Sequence, residues 1–160
     1  MPEVLLSLGS NIEPLHNLQS ALAALDALPD ARLGRGSALY RCPAVGFSGP
    51  DFVNCAYRAD WAAGLPELQA ALRAIEDAAQ RDRSAERFAS RTLDIDIVLF
   101  GDVVSREGSG IPRGELLEQA FVLRPCAELA PDWVHPLTGL SLAAHWQTWR
   151  LSGDDPLLPV

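Results

Sequence analysis

The sequence predicts an α+β fold, in which helices pack against one face of a single sheet. Two segments carry leucines every three or four residues, which is the spacing of amphipathic helices. Four apolar runs are short enough to be strands, and the order of elements is strand, helix, strand, strand, helix, strand. Because 160 residues suffice for one domain with a substantial core, we expect a single domain over residues 1–160.

The first half of the chain supplies three of the strands and one helix. We predict strands over residues 3–10, 32–41 and 51–61 and a helix over residues 15–28. The first strand is an apolar run that ends at Gly9, and the helix has one leucine-rich face and is stopped by Pro29. The middle strand is weakly marked, whereas alternating side chains mark the third. The loop at 42–50 is rich in proline and glycine and is of the kind that carries function.

The second half supplies the other long helix, the last strand and C-terminal helices. We predict helices over residues 65–83, 115–131 and 141–150 and a strand over residues 92–101. Pro66 suits the first turn of its helix, and a proline interrupts the helix at 115–131. Residues 84–90 are expected to form a polar loop and residues 105–110 a flexible one.

These elements in this order indicate a ferredoxin-like βαββαβ sandwich with extra C-terminal helices. In this arrangement the two long helices cover one face of the sheet. We expect the other face to be open for a ligand.

The charge and cysteine content argue against several classes of protein. The formal net charge is −8, and all 13 basic residues are arginines, so nucleic acid and anionic membranes are not expected partners. No apolar run approaches the ~18 residues of a membrane span, and the N-terminus lacks a signal peptide's features. We therefore expect a cytoplasmic protein that acts on small molecules, as a monomer. The three cysteines are widely spaced and are expected to be buried thiols.

A cluster of basic residues stands out from this acidic composition. Four arginines lie within eleven residues, at Arg81, Arg83, Arg87 and Arg91. Such a cluster points to a discrete anionic ligand, because a guanidinium group binds phosphate oxygens in pairs. The alternative is a solvated helix end, where arginines complement the helix dipole.

Two aspartates interrupt the apolar strand that follows this cluster. Because residues two apart in a strand point to the same side, Asp94 and Asp96 share one face, with Cβ atoms roughly 7 Å apart. Two carboxylates this close repel each other, and a Mg²⁺ ion bound with ligand phosphates would relieve the repulsion. Alternatively, both aspartates form ion pairs with Arg87 and Arg91.

Four segments of the chain match the motifs of a known family in one register, from residue 4 to about residue 142. They read SLGSN, YRCPAVGFSGPDFVNCA, RDRSAERFASRTLDIDIVLFGD and FVLRPCAELAPDWVHPLTG. On these segments the chain resembles the 6-hydroxymethyl-7,8-dihydropterin pyrophosphokinase family of folate biosynthesis. The resemblance implies a ferredoxin-like enzyme that transfers pyrophosphate from ATP to the hydroxymethyl group of the pterin and releases AMP.

The same resemblance implies a role for individual residues around the pterin ring. Its pterin-binding positions correspond to Cys42, Pro43, Val45, Phe52, Asn54 and Phe121. Phe52 and Phe121 are suited to sandwich a flat ring, and Asn54 can hydrogen-bond its amide edge. The alternative for the two aromatic residues is ordinary core packing.

On the nucleotide side the resemblance implies two Mg²⁺ ions bound by Asp94 and Asp96, with ATP as co-substrate. The family's catalytic positions correspond to these aspartates and to Arg81 and Arg91. Its ATP-binding positions correspond to Glu76, Arg83, Arg87, Phe88 and Arg113.

The chain departs from the family pattern at three places. Phe88 stands where members usually have tryptophan, Arg113 where they have histidine, and Gln119 where they have arginine. Because the usual histidine and arginine contact ATP phosphates, a second function is left open. The chain would then be a diverged relative that binds a pterin-like ring and uses nucleotide weakly.

Overall fold

The computed structural model describes residues 1–43, 49–79, 92–153 and 155–160. The strands in this part are β1 (Glu3–Ser10), β2 (Ala31–Gly36), β3 (Tyr40–Cys42), β4 (Phe52–Trp61), β5 (Asp94–Phe100) and β6 (Leu158–Pro159). The helices are α1 (Pro14–Asp26), α2 (Leu65–Ala78), α3 (Glu115–Glu118), α4 (Ala120–Leu129) and α5 (Leu142–Ser152). Among these helices none is long and apolar enough to cross a membrane.

The strands form one antiparallel sheet in the order β5, β1, β4, β3, β6, and β2 also pairs with β4. The two longest pairings place β1 in the centre, between β4 and β5. With α1 after β1 and α2 after β4, this is the predicted α+β ferredoxin-like arrangement, and the prediction is confirmed. β5 is an edge strand, so its outer backbone groups are available to other parts of the chain.

The main core lies between α1, α2 and one face of the sheet. Leu6 and Leu8 of β1 are buried there against Leu18 of α1 and Leu68 of α2. Ile95 of β5 belongs to the same cluster, as alternation along the strand requires. This packing fixes which way the neighbouring aspartates point.

The opposite face of the sheet is largely covered, so the prediction that it is open is wrong. Leu5, Ala56 and Leu99 are fully buried on that face, against Leu123 and Cys126 of α4. The physical reason is that β1, β4 and β5 carry apolar side chains on both faces along part of their length, and α4 and α5 bury the second set.

Several predicted boundaries shift, each for a local reason. The weak strand at 32–41 is two strands, separated at residues 37–39, where the Ser37 side chain accepts the N–H of Ala56 at 2.9 Å. A second irregularity, around Leu33 with its φ of +54°, lies inside β2. The helix at 115–131 is divided at the extended residue Gln119 and not at Pro125. The carbonyl of Gln119 accepts the N–H groups of Val122 and Leu123, and thereby begins α4.

Three further differences concern the ends of elements. α1 ends at Asp26, two residues before the predicted end. α2 ends at Ala78, and the rest of the helix predicted over 65–83 reaches residues that the structure does not describe. β6 was not predicted, because its pairing with β3 depends on a partner far away in sequence.

Candidate functional site

The two aspartates lie on β5, where the α4-covered face of the sheet becomes polar. Asp94 is opposite Gly9 and Asp96 is opposite Ser7 in the antiparallel pairing of β5 with β1. Because Ile95 between them is buried in the main core, both carboxylates leave the sheet on the other side. The prediction that they share one face is confirmed by this register.

The environment of Asp96 disfavours its charged form. Its side chain is 27% exposed. Burial raises the pKa of Asp96 to about 7, and the neighbouring Asp94 carboxylate contributes in the same direction. Arg113 opposes this effect, because its Nη1 lies 3.5 Å from Asp96 Oδ1. A divalent cation at this place would stabilise the charged form.

Arg113 is held at several points. Its N–H donates to the carbonyl of Val98 at 3.0 Å, which ties its backbone to β5. Its Nε donates to Glu115 Oε1 at 3.0 Å, and its Nη2 forms an ion pair with the same oxygen at 2.9 Å. The guanidinium is therefore fixed beside the aspartate pair. Of the two arginine partners considered for the aspartates on sequence grounds, Arg87 and Arg91, both lie outside the described residues.

Glu76 supports the strand between the two aspartates. It is buried in the last turns of α2, and its Oε2 accepts the N–H of Ile95 at 2.9 Å. Because β5 is the edge strand of the described sheet, no neighbouring strand offers a carbonyl to accept this N–H. Glu76 thus satisfies a buried donor within the Asp94–Asp96 segment.

A cleft of about 570 Å³ opens beside these groups, between α2, β5 and residues 105–113. The turn at 105–111, predicted to be flexible, is closed by paired hydrogen bonds between Ser105 and Ile111. Glu76, Asp96 and Arg113 line the cleft. The other polar residues that line the cleft, which include Gln69, Arg73 and Ser109, were not predicted from the sequence. Residues 69, 73 and 76 recur at helical spacing, so the face of α2 could have been found, whereas the turn could not.

The other end of this polar region is built around Asn54 of β4. Asn54 lies opposite Gly9 on one side and Tyr40 on the other, and is only 6% exposed. Its Nδ2 has no hydrogen-bond partner within the part of the chain that the structure describes. A buried amide donor in this condition is costly unless a ligand accepts from it. Gly9 makes room for the side chain, because a Cβ at that position would lie 2.8 Å from Asn54 Oδ1.

The predicted aromatic and loop residues surround this amide only in part. Cys42 pairs with Phe52 across β3 and β4, is buried, and its thiol has a pKa raised by that burial. Phe52 and Phe121 are half-buried, which differs from full core packing. Phe121 lies in the first turn of α4 and packs against the cluster that contains Cys42. Pro43 is exposed at the start of the loop.

One contact ties that loop to β1. Asn11 Nδ2, just after β1, donates to the carbonyl of Pro50 at 3.3 Å. The remaining sequence-predicted residues lie outside the described part of the chain, and are Val45, Arg81, Arg83, Arg87, Phe88 and Arg91.

Of the predicted site residues that the structure describes, Asp94, Asp96, Glu76 and Arg113 lie together around β5. Asn54 lies beside them, across Gly9 of β1.

Comparison with known proteins points to a single family. The family model described as 7,8-dihydro-6-hydroxymethylpterin-pyrophosphokinase matches residues 5–131. A curated 2-amino-4-hydroxy-6-hydroxymethyldihydropteridine pyrophosphokinase of Synechocystis is 39% identical over 137 residues, which cover 84% of this chain and 70% of that protein. A protein of the same name from Pseudomonas aeruginosa is 40% identical over 132 residues and 81% of each chain.

The fold of solved structures agrees. A crystal structure of wild-type Plasmodium falciparum HPPK-DHPS superposes on 93% of this chain with a TM-score of 0.68 at 12% sequence identity. This chain spans 44% of that longer protein. At so low an identity the likeness concerns the fold alone.

Proposed function

The chain belongs to the 7,8-dihydro-6-hydroxymethylpterin-pyrophosphokinase family, and we propose that it transfers pyrophosphate from ATP to 6-hydroxymethyl-7,8-dihydropterin in folate biosynthesis. The products are the pterin diphosphate and AMP. The observation that carries the proposal is the polar end of one sheet face, where Asn54 and the Asp94–Asp96 pair lie on either side of Gly9. A ring bound at the amide would reach the carboxylates with its substituent.

The pterin ring is proposed to bind at Asn54. The free Nδ2 donor fits an acceptor on the amide edge of the ring, and Oδ1 fits a donor there. Phe52 and Phe121 supply aromatic faces on either side. The remaining contacts are proposed to come from Cys42, Pro43 and Val45.

The aspartate pair suits Mg²⁺ by its chemistry. Within the described residues no three acidic, histidine or cysteine side chains are grouped to hold a metal ion. Two carboxylates without a third protein ligand fit Mg²⁺, which usually takes one or two carboxylates and completes its shell with substrate phosphates and water. We propose that Asp94 and Asp96 hold two such ions, which supply charge stabilisation for the triphosphate.

ATP is proposed to lie in the cleft between α2 and the 105–113 segment. The cleft borders Asp96 and Arg113, so phosphates bound there would meet both the aspartate pair and a fixed guanidinium. Glu76 is proposed to act on this site through the backbone of β5. Arg83, Arg87 and Phe88 are proposed as further nucleotide contacts, and Arg81 and Arg91 as catalytic arginines.

The transfer itself requires positioning and charge stabilisation. The hydroxymethyl oxygen attacks the β-phosphorus, the bond from that phosphorus to the oxygen bridging it to the α-phosphate breaks, and AMP leaves with that oxygen. Arg81 and Arg91 offset the charge that develops on the leaving group. The hydroxyl proton is lost in this step, and Asp96 is the proposed acceptor.

The second candidate function is pterin binding with weak nucleotide use. Gln119 favours it, because an uncharged residue occupies a position where members of the family carry arginine. In the structure the backbone carbonyl of Gln119 begins α4, and its side chain carries no charge.

One assay separates the two functions. The protein is incubated with ATP and Mg²⁺, with and without the pterin, and AMP is measured. Pterin-dependent AMP release supports the enzyme, whereas calorimetric pterin binding without AMP supports the binding protein. Binding of neither ligand would refute both functions.

Two finer expectations stay predictions of the sequence. The monomeric state is tested by light scattering during size-exclusion chromatography. The cytoplasmic location is tested by fractionation of cells that contain the protein. A dimer, or recovery with membranes, would contradict them.

A further inference from the structure

Glu115 is a residue that neither the motif resemblance nor the chemistry of transfer assigns. It opens α3, two residues after Arg113, and is 41% exposed. Its Oε1 accepts a hydrogen bond from Arg113 Nε at 3.0 Å and lies 2.9 Å from Nη2 of the same guanidinium. A carboxylate oxygen on this edge of the guanidinium restrains the direction in which the opposite nitrogen, Nη1, points.

The orientation that results has a consequence for the cleft. A guanidinium has five N–H donors, and Glu115 accepts the one on Nε and forms a close ion pair with Nη2. The third nitrogen, Nη1, lies 3.5 Å from Asp96 Oδ1, and Arg113 lines the cleft. The backbone N–H of Arg113 is hydrogen-bonded to Val98 of β5, so the side chain is restrained at its backbone end as well as at its guanidinium.

We propose that Glu115 is a positioning residue, which holds Arg113 so that its Nη1, beside Asp96, faces the phosphate side of the cleft. This inference rests on the proposed function. A free arginine has several rotatable bonds to immobilise when it binds phosphate, and a pre-oriented one loses less freedom for each hydrogen bond formed.

A double-mutant cycle on nucleotide binding tests the proposal. The dissociation constant of a non-hydrolysable ATP analogue with Mg²⁺ is measured by calorimetry for Glu115→Ala, Arg113→Met and the double variant. Glu118→Ala is the matched control, because it removes the same charge from the same short helix without a described contact to Arg113. Thermal melting confirms that each variant is folded.

We expect Glu115→Ala to weaken analogue binding by about threefold to tenfold, the range for a partly exposed ion pair that orients a ligand contact. Glu118→Ala should change it by less than about twofold. In the Arg113→Met background, Glu115→Ala should have no further effect, since a positioning residue acts only through its partner.

Two outcomes would overturn the inference. In one, Glu115→Ala binds the analogue like Glu118→Ala. In the other, its effect is as large without Arg113 as with it, which would reveal a general electrostatic role. If the unchanged protein binds no Mg²⁺–analogue, the proposed function fails too. If it binds but shows no coupling, only the role of Glu115 is refuted.

Discussion

Replacing Gly9 by alanine should separate pterin binding from nucleotide binding. The added Cβ would lie 2.8 Å from Asn54 Oδ1, whereas ordinary van der Waals contact begins at 3.4 Å, so the carboxamide must move by about 0.6 Å or rotate. Because Asn54 is only 6% exposed, little space is available for that movement. The amide would then no longer meet the edge of a bound ring.

The size of the effect follows from two opposing contributions. Alanine is favoured over glycine within a strand by about 0.5–1 kcal/mol, whereas overpacking costs about 1–3 kcal/mol. The free energy of unfolding should therefore fall by about 0–2.5 kcal/mol. Losing the amide hydrogen bonds to the pterin costs about 1–3 kcal/mol, so pterin affinity should fall by roughly fivefold to 150-fold.

Calorimetric titration with the pterin and, separately, with a Mg²⁺–ATP analogue measures both affinities. Nucleotide affinity should stay within about twofold, since Gly9 does not line the nucleotide cleft. Gly153→Ala is the control, because a methyl group there meets no atom within 4 Å. In an Asn54→Ala background the stability cost of Gly9→Ala should disappear. Unchanged pterin affinity, or equal loss of both ligands, would refute the reasoning.

Substitutions at three further positions test what stabilises the fold. Glu3→Gln removes the ion pair with Arg58. The hydrogen bond from that arginine is the main cause of the lowered pKa of Glu3. About 0.5–1 kcal/mol of stability should therefore be lost at pH 7, and none below the folded-state pKa of Glu3. Denaturant unfolding at pH 7 and pH 3 measures this difference. Glu76→Leu leaves the Ile95 N–H without its acceptor and should cost about 1–3 kcal/mol in the same measurement, whereas Glu76→Gln retains an acceptor and should cost less. Leu157→Ala should cost about 2–4 kcal/mol, because Leu157, just before β6, is buried in one cluster with Tyr40 and Cys42.

Each of these has an outcome that would contradict it. For Glu3, the sign is fixed by linkage: a lowered folded-state pKa gives stability that is present above the unfolded value of 4.5 and is lost as the pH falls through the folded value. A cost that is the same at pH 3 and pH 7 would contradict it. Equal costs for the two Glu76 variants would show that the acceptor oxygen is unimportant. A neutral Leu157→Ala would show that the C-terminal segment adds little.

The parts of the fold that depend on local spacing were predictable from the sequence. The shared face of Asp94 and Asp96 follows from the two-residue period of a strand, and the register of β5 confirms it. The long helices were found from their leucine spacing. Motif resemblance supplied Asn54, which no local rule would have singled out.

Contacts between distant segments were not predictable in this way. The bond from Ile95 to Glu76 exists only because α2 packs along the free edge of β5. The fixed position of Arg113 depends on a backbone bond to Val98, fifteen residues earlier. The covered second face could have been suspected from the run of buried residues in β1, since a strand buried on both faces is apolar without alternation.

The most direct test of the account is AMP release by Asp96→Asn beside the unchanged protein. Asp102→Asn is the control, because this substitution removes an equal charge from an exposed residue just after β5. We predict pterin-dependent AMP release by the unchanged protein and by Asp102→Asn, and a rate at least about a hundredfold lower in a folded Asp96→Asn. A normal rate in Asp96→Asn would contradict the assignment of the aspartate pair.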